Sequence, residues 1–198
     1  MKASIVLNNY IDCQVKQDYV ICVDGGYNYC LGKCDCIIGD LDSIGNIPVE
    51  VKIIKFDSRK NQTDGELAIR QAISCGYNDL TIYGGIGGRI DHTIGNLGLL
   101  PLAYSLNAKA ILLSSTLEVF FVKDSLTFET KLDDIVSIFS FDGNAVVSSV
   151  SGLSYPLDNL TLEELSTRGV SNYAVKTQVS IVISSGSVFV FHYLAKQE

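Results

Sequence analysis

Acidic side chains in this sequence stand where short apolar runs end. Asp24 follows Ile21-Cys22-Val23 and opens Asp24-Gly25-Gly26. Asp40 and Asp42 follow Cys36-Ile37-Ile38 in Gly39-Asp40-Leu41-Asp42-Ser43, Asp57 closes another apolar run, and Asp64 comes soon after it. Carboxylates two positions apart can turn to one side of an extended segment. Hard cations such as magnesium take ligands of this kind, usually one or two carboxylates plus substrate phosphates. Each residue also has a plain structural reading. The D-x-D pair reads as an acidic turn, Asp64 as a first-turn residue favoured by the helix dipole, and Asp91 as a helix N-cap. A second chemical signal is Gly84-Gly85-Ile86-Gly87-Gly88-Arg89-Ile90-Asp91-His92. Glycines let backbone N–H groups approach an anion, and a helix behind them adds its positive end. Arg89 can grip phosphate oxygens through two parallel hydrogen bonds. The run lacks the Gly-Lys-Ser/Thr ending of a Walker loop.

These residues need elements to bring them together. Segments 4–7, 20–23, 36–38, 53–56, 80–83 and 111–113 are short, nearly continuously apolar and often β-branched, as strands covered on both faces are. The spacing predicts a helix over 64–74. Thr63 and Glu66 form a capping box, Ala68, Ile69, Ala72 and Ile73 make one apolar stripe, and Gly76 is the stop. A second helix is expected over 92–106, with Pro101 as a kink or break. Strands alternating with helices imply an α/β N-terminal domain with a mostly parallel sheet, residues 1–122. Every acidic cluster then falls at the carboxyl end of a strand, the edge where open α/β sheets bind ligands. Past residue 123 the pattern changes to strands at 134–141, 145–150, 175–184 and 188–194, with Ser185-Gly186 as a tight hairpin turn and a helical turn at 161–165. This second stretch, residues 123–198, reads as a small all-β C-terminal domain, a sandwich or a barrel half.

Composition narrows the function class. Hydrophobic residues make up 47% of the chain and charged residues 19%, the profile of a packed globular protein. A net charge of −7 argues against broad nucleic-acid binding, which needs a basic face. It does not exclude ATP, because divalent metal neutralises both sides. No apolar run reaches the roughly 20 residues of a membrane span, and the start lacks the pattern of a signal peptide, so a cytoplasmic protein with no membrane partner is expected. The six cysteines all lie in the first half. Cys30, Cys34 and Cys36 lack a paired C-x-x-C spacing and have no histidine nearby, so spacing argues against zinc and for free thiols.

In order, Asp24-Gly25-Gly26-Tyr27-Asn28, Asp35-Cys36-Ile37-Ile38-Gly39-Asp40-Leu41-Asp42-Ser43, Thr63-Asp64 and the run 84–92 with Asn96 resemble the thiamine pyrophosphokinase family. Gly152-Leu153-Ser154-Tyr155-Pro156-Leu157 and Gly169-Val170-Ser171-Asn172 are similar to its C-terminal motifs. The resemblance implies a magnesium-dependent enzyme that moves a pyrophosphoryl group from ATP to the hydroxyl of thiamine and releases AMP. It implies a homodimer with active sites at the subunit interface. Asp40, Asp42 and Asp64 would hold Mg2+. Asp24, Gly25, Gly26, Asn28, Ser43, Thr63, Gly85, Gly87, Gly88 and Arg89 would contact ATP. Asp91, His92, Asn96, Ser171 and Asn172 would lie on the thiamine side, with Arg89 and Asp91 as the catalytic pair. Asp91 is the candidate to accept the hydroxyl proton, with metal ligand and helix cap as its other readings. The sequence departs from the family pattern at Asn61, where relatives carry an acid, at Cys34, where proline is usual, and at Tyr27, where a small residue is usual. A nucleotide-sensing module without turnover and a metal-dependent phosphohydrolase are the rival functions.

Overall fold

The computed structural model describes residues 1–16, 19–30, 33–41, 51–56 and 61–194. They hold fourteen strands and three α-helices, so the chain is mostly strand. It divides into two compact units, residues 1–114 and 115–198.

In the first unit, β1 (Lys2–Val6), β2 (Tyr19–Val23), β3 (Cys36–Gly39), β4 (Lys52–Lys55), β5 (Asp79–Tyr83) and β6 (Lys109–Leu113) form ladders that are all parallel. Their spatial order is β6-β5-β1-β2-β3-β4. The chain steps outward from β1 through β4, then returns to the other side of β1 with β5 and β6. The two sides of β1 are thus a switch point, where connections leave in opposite directions and open a crevice at the carboxyl edge. Near-continuous apolar strands suit this position: Ile5, Ile21, Cys22, Ile37, Ile38 and Ile82 are fully buried.

Helix α1 (Asp64–Ser74) starts as its sequence dictates, with Thr63 Oγ1 accepting the Glu66 N–H at 3.2 Å. Its Ala68, Ile69 and Ala72 are fully buried. Gly76 follows it at φ 85°, the left-handed geometry that ends a helix. The expected single helix over 92–106 is instead two, α2 (Ile90–Leu97) and α3 (Leu99–Ser105), divided at Gly98. Pro101 makes no break because it sits in the first turn of α3, where a missing N–H costs no helical hydrogen bond.

The second unit contains β7 (Leu117–Val122), β8 (Ser125–Glu129), β9 (Ile135–Phe139), β10 (Ala145–Ser151), β11 (Leu160–Leu162), β12 (Asn172–Tyr173), β13 (Gln178–Ser185) and β14 (Val188–Tyr193). All its ladders are antiparallel, ordered β12-β9-β14-β7 and β11-β10-β13-β8. Alternate residues from both sets, among them Val136, Ile138, Val147, Val179, Ile181 and Val190, form one core. Three expectations change here. Strand β7 pairs with β14 and so belongs to the second unit, which moves the division of the chain ahead of it. Segment 161–165 contributes the strand β11 against β10 rather than a helical turn. Ser185-Gly186 does not close a hairpin, because β13 pairs with β10 and β8 while β14 pairs with β7 and β9. Gly186 (φ 76°) passes so near the next strand that a Cβ there would lie 2.4 Å from the Asn144 carbonyl oxygen.

The inward row of β14 ends in a charge cluster. His192 is 2% exposed, and its Nδ1 lies 3.1 Å from Glu118 Oε2 and its Nε2 2.9 Å from Asp134 Oδ2. Asp134 also accepts the Lys131 N–H, and the Phe128 ring packs 5.1 Å from the imidazole. Burial opposes the imidazolium, but the two carboxylates outweigh it and raise the His192 pKa. A raised folded-state pKa adds stability that is fully present below the unfolded value near 6.5 and is lost as pH rises through the folded value. His192→Gln is therefore expected to lower stability by about 1–3 kcal/mol in acid, with a smaller deficit at pH 9 than at pH 6 in denaturant titrations. A deficit independent of pH would show that the imidazolium contributes nothing.

Candidate active site

A cavity of about 880 Å³ opens at the carboxyl edge of the first unit. Its wall comes from both sides of the switch point. Leu7, Asn8 and Asn9 follow β1, Val23 and Asp24 end and follow β2, and Gly84, Gly87, Gly88 and Arg89 follow β5. Thr63, Asp64, Gly65 and Glu66 bring the start of α1, while Asp91, His92, Gly95 and Asn96 bring α2.

Asp24 is held in an unusual way. It opens a short 3-10 helix (Asp24–Tyr29) and has φ 43°, a left-handed conformation that costs a non-glycine residue free energy. Its carboxylate lies over the end of β3, where a Cβ at Gly39 would stand 1.6 Å from Asp24 Oδ1. Only glycine leaves that space. The Leu41 N–H points at the same oxygen from 3.4 Å. Burial, then the negative charges of Asp64 and Asp40, push the Asp24 carboxyl above the usual range, and backbone donors at Leu41 and Asp40 offset part of this. Asp24, Asp40 and Asp64 therefore share one field. An all-oxygen, anionic set of this kind fits a hard divalent cation. Asp42 and Ser43, two further expected site residues, lie outside the described residues, as does Asp57.

The glycine-rich loop is tied down through its carbonyls. Asn9 Nδ2 donates to the oxygens of Ile86 (3.3 Å) and Gly87 (3.2 Å), and Asn96 Nδ2 donates to that of Gly85 (3.0 Å). Thr93 Oγ1 donates to Gly87 and Arg89 carbonyls, each at 3.3 Å. Side chains anchoring the carbonyls fix the loop from one side while Gly87 and Gly88 line the cavity. Sequence reasoning misses Asn9 and Thr93. Asn8-Asn9 directly after an apolar run is the available signal, since it falls at the same strand edge as the carboxylates.

Arg89 and Asp91 bind each other. Arg89 Nε lies 3.1 Å from Asp91 Oδ1, and Nη2 lies 2.5 Å from Oδ2. Asp91 Oδ1 also accepts the His92 N–H at 3.0 Å. Asp91 is inside the first turn of α2 with Arg89 at the N-cap position, so the cap reading of Asp91 does not hold. The Arg89 hydrogen bond lowers the Asp91 pKa to about 2. In this arrangement Asp91 is a weak base, and the guanidinium is occupied.

Other expected contacts stand back from the wall. Gly25 and Gly26 are buried within the 3-10 helix, Asn28 is exposed upon it, and Gly85 is buried with its carbonyl held by Asn96. Ser171 and Asn172 belong to the second unit. Ser171 is exposed at φ 58° and donates its N–H to Ser137 Oγ at 3.0 Å. Asn172 is 3% exposed and engaged with backbone. Its Oδ1 accepts from the N–H groups of Tyr155 and Tyr173, both at 2.9 Å, and its Nδ2 donates to the Tyr155 carbonyl at 2.8 Å. This amide fastens the Tyr155 turn to β12. Asn172→Ala leaves those backbone groups unpaired and is expected to cost about 2 kcal/mol of stability. An unchanged midpoint in chemical denaturation would contradict that role.

Comparison with known proteins agrees with this geometry. The family model for the thiamin pyrophosphokinase catalytic domain matches residues 11–112, and that for the thiamin pyrophosphokinase vitamin B1 binding domain matches residues 125–188. Thiamin pyrophosphokinase 1 of Caenorhabditis elegans is 28% identical over 195 residues, covering 88% of this chain and 79% of the relative. Thiamine pyrophosphokinase of Bacillus subtilis is 25% identical over 134 residues, covering 66% and 62% respectively. The fold is that of a crystal structure of the Bacillus subtilis thiamine pyrophosphokinase, with a TM-score of 0.85 at 21% identity over 99% of this chain and 100% of that one. A thiamin pyrophosphokinase structure from Candida albicans gives a TM-score of 0.81 at 18% identity, over 98% and 90% of the two chains. With the two family models matching in order along the sequence, this chain belongs to the thiamin pyrophosphokinase family.

Proposed function

We infer that this chain is a magnesium-dependent thiamine pyrophosphokinase. The thiamine hydroxyl oxygen would attack the β-phosphorus of ATP, the bond from that phosphorus to the α-phosphate oxygen would break, and AMP would leave as thiamine diphosphate forms. One observation carries the reading: within a member of this family, a cavity at the sheet's switch point gathers Asp24, Asp64, a glycine-rich loop and Arg89. Asp40 and Asp64, with Asp24 beside them and Asp42 next along the chain, would hold Mg2+. When bound, the ion would neutralise phosphate charge and orient the chain of phosphates. Gly87 and Gly88 would let ATP phosphates approach the backbone, and the start of α2 would favour their charge.

The Arg89–Asp91 pair gives the mechanism an order. Arriving phosphate competes with Asp91 for the guanidinium. Once Arg89 turns to phosphate, Asp91 loses the hydrogen bond that lowers its pKa most and recovers the basicity needed to accept the hydroxyl proton. Substrate binding would thus arm the base. His92 and Asn96 line the same cavity and would stand on its thiamine side.

The second unit would be a β-sandwich that supplies thiamine contacts, a reading supported by the vitamin B1 binding model over 125–188. Asn172 would act there by holding the Tyr155 turn, and Ser171 by direct contact. A homodimer is part of the same proposal. Ile90 and Ile94 stand 77% and 59% exposed on α2 beside the cavity, an apolar pair that a second subunit would cover. A cytoplasmic site of action is part of the same proposal; no helix among the described residues is long and apolar enough to cross a membrane.

Incubation with ATP, Mg2+ and thiamine, followed by chromatography of the nucleotides, is expected to give AMP that depends on thiamine. ADP, or phosphate released without thiamine, would favour hydrolysis instead, and no turnover would favour a sensor. Within that assay, Gly39→Ala should lower the rate by about 100-fold, because its Cβ displaces the Asp24 carboxylate by more than an ångström. Near-normal turnover in a folded Gly39→Ala protein would remove Asp24 from the reaction.

A further inference from the structure

The strongest feature outside the cavity is a cluster of sulfur. The Sγ atoms of Cys22, Cys30 and Cys34 lie within 4.8 Å of one another. The three come from different places: Cys22 from near the carboxyl end of β2, Cys30 from the end of the 3-10 helix, and Cys34 from the segment that leads into β3. Cys22 is fully buried, Cys30 is 4% exposed and Cys34 is half-buried. None of the six cysteines is in a disulfide. Cys36, which sequence spacing groups with Cys30 and Cys34, does not join them. Its neighbours are Lys52, Cys75 and Asp35, and its place is taken by Cys22, which is remote in sequence but one strand away.

We propose that Cys22, Cys30 and Cys34 form a three-thiolate site for Zn2+, separate from the carboxylate site and lying beneath it. The distances suit the ion. Zn–S bonds of about 2.3 Å in a tetrahedron put sulfurs about 3.8 Å apart, so the cluster has to contract by about 1 Å at most. The ligands are soft, as a thiophilic cation requires. Among the described residues no fourth histidine, cysteine or carboxylate joins the three. Cys34 is the ligand open to solvent, and a water molecule on that side completes the tetrahedron.

The alternative uses of such a cluster fit less well. Nucleophilic or exchange chemistry needs a thiolate at low pKa. Here the hydrogen bonds that the Cys22 thiol makes with Cys30 and Cys34, together with burial, push it far up. For Cys34 the Cys22 hydrogen bond pulls down while the Cys30 hydrogen bond and burial push up, leaving it at about 12. Without a cation the thiols stay protonated: Cys30 Sγ donates to the Tyr27 carbonyl and Cys34 Sγ to the Cys36 carbonyl, each at 3.2 Å. Zn2+ would displace those protons and supply the positive charge that the pocket lacks. Plain apolar packing of the three is the remaining alternative, and metal binding separates the two.

The site's position gives it a role. Cys22 stands two residues before Asp24, and Cys30 and Cys34 precede β3, whose far end carries Gly39 and Asp40. A cation joining the three would cross-link the segment that delivers both carboxylates. It would close a loop that the unfolded chain leaves open and so favour the folded unit.

The test uses the intact chain, purified under reducing conditions and stripped with a chelator. Titration with Zn2+ is expected to load about one ion per chain into the three-ligand site, in competition with a chromogenic chelator. Titration with Co2+ is expected to give an intense thiolate-to-cobalt charge-transfer band in the near ultraviolet, which the oxygen ligands of Asp24, Asp40 and Asp64 cannot produce. Cys34→Ser, at the solvent-facing ligand, should cut the band by about a third or more and weaken Zn2+ binding by about tenfold or more, with an unchanged circular dichroism spectrum. Cys30→Ser provides a second removal if Cys34→Ser folds poorly. Cys13→Ser and Cys75→Ser should keep the band. Absence of the band in the unsubstituted protein overturns the site, as does a band that both ligand substitutions leave undiminished. Binding of Cu+ without Zn2+ overturns it as a zinc site.

Discussion

Like charges gathered at one edge of a sheet repel one another, and holding them there sets terms for the rest of the first unit. Asp24 feels both Asp64 and Asp40. The three arrive by different routes: the end of β2, the end of β3 and the first turn of α1. Parallel strands make this meeting geometrically natural, since every β-to-α connection leaves from the same edge. They do not make it favourable. Asp24 adopts a left-handed backbone, and Gly39 gives up its side chain so that a carboxylate fits over it. Strain and crowding of this sort persist where the surrounding structure over-determines them, which is characteristic of functional sites. A divalent cation of the kind proposed would remove the repulsion.

How much of this is legible in the sequence depends on the range of the interaction. The strands of the first unit are readable because a buried parallel strand needs a continuous apolar run. The start of α1 is readable because Thr63 and Glu66 sit three residues apart and act on each other alone. Local chemistry misleads where the deciding contact is distant. Ser185-Gly186 looks like a hairpin turn, yet the partners of β14 are β7 and β9, far off in sequence. Gly98 divides α2 from α3 although Pro101 carries the stronger sequence signal for a break. Strand β7, Leu117–Val122, reads as the close of the first unit because nothing in its own residues names β14 as its partner.

The site shows the same division. Residue types announce the carboxylates and the glycine loop, but not what holds them. Asn9 grips the loop from 77 and 78 residues away, a link no spacing rule contains. Asn172 shows the reverse error. Its amide has the donors and acceptors to suit an aminopyrimidine, but in a buried setting backbone groups claim them first. A buried amide is an expensive group to leave partly bonded. Three hydrogen bonds to backbone make Asn172 a residue that shapes a neighbouring surface, and Tyr155, 58% exposed on the turn it fastens, is the part of that surface a ligand could meet.

The cysteines complete the contrast, because the reason their sequence misleads can be stated. Metal-site spacing rules describe ligands that neighbour one another along a loop. They miss a ligand such as Cys22, which reaches Cys30 and Cys34 across the strand-to-loop step. What results in the first unit is a separation by ligand hardness over a few residues of chain. Oxygen donors stand at the rim, where phosphates and a hard, well-hydrated ion can enter. Sulfur donors stand below it among Val6, Val20, Ile37 and Tyr83, where a soft ion would sit with most of its water removed. Thiolates do not suit magnesium, so the sulfur cluster would not compete with the rim carboxylates for a hard ion. The strand end Cys22-Val23-Asp24 carries one ligand of each kind two residues apart. Strand alternation alone would put those side chains on one side of β2, and Asp24 leaves that pattern with its left-handed backbone. That change of conformation falls between the thiol proposed for the soft ion and the carboxylate proposed for the hard one.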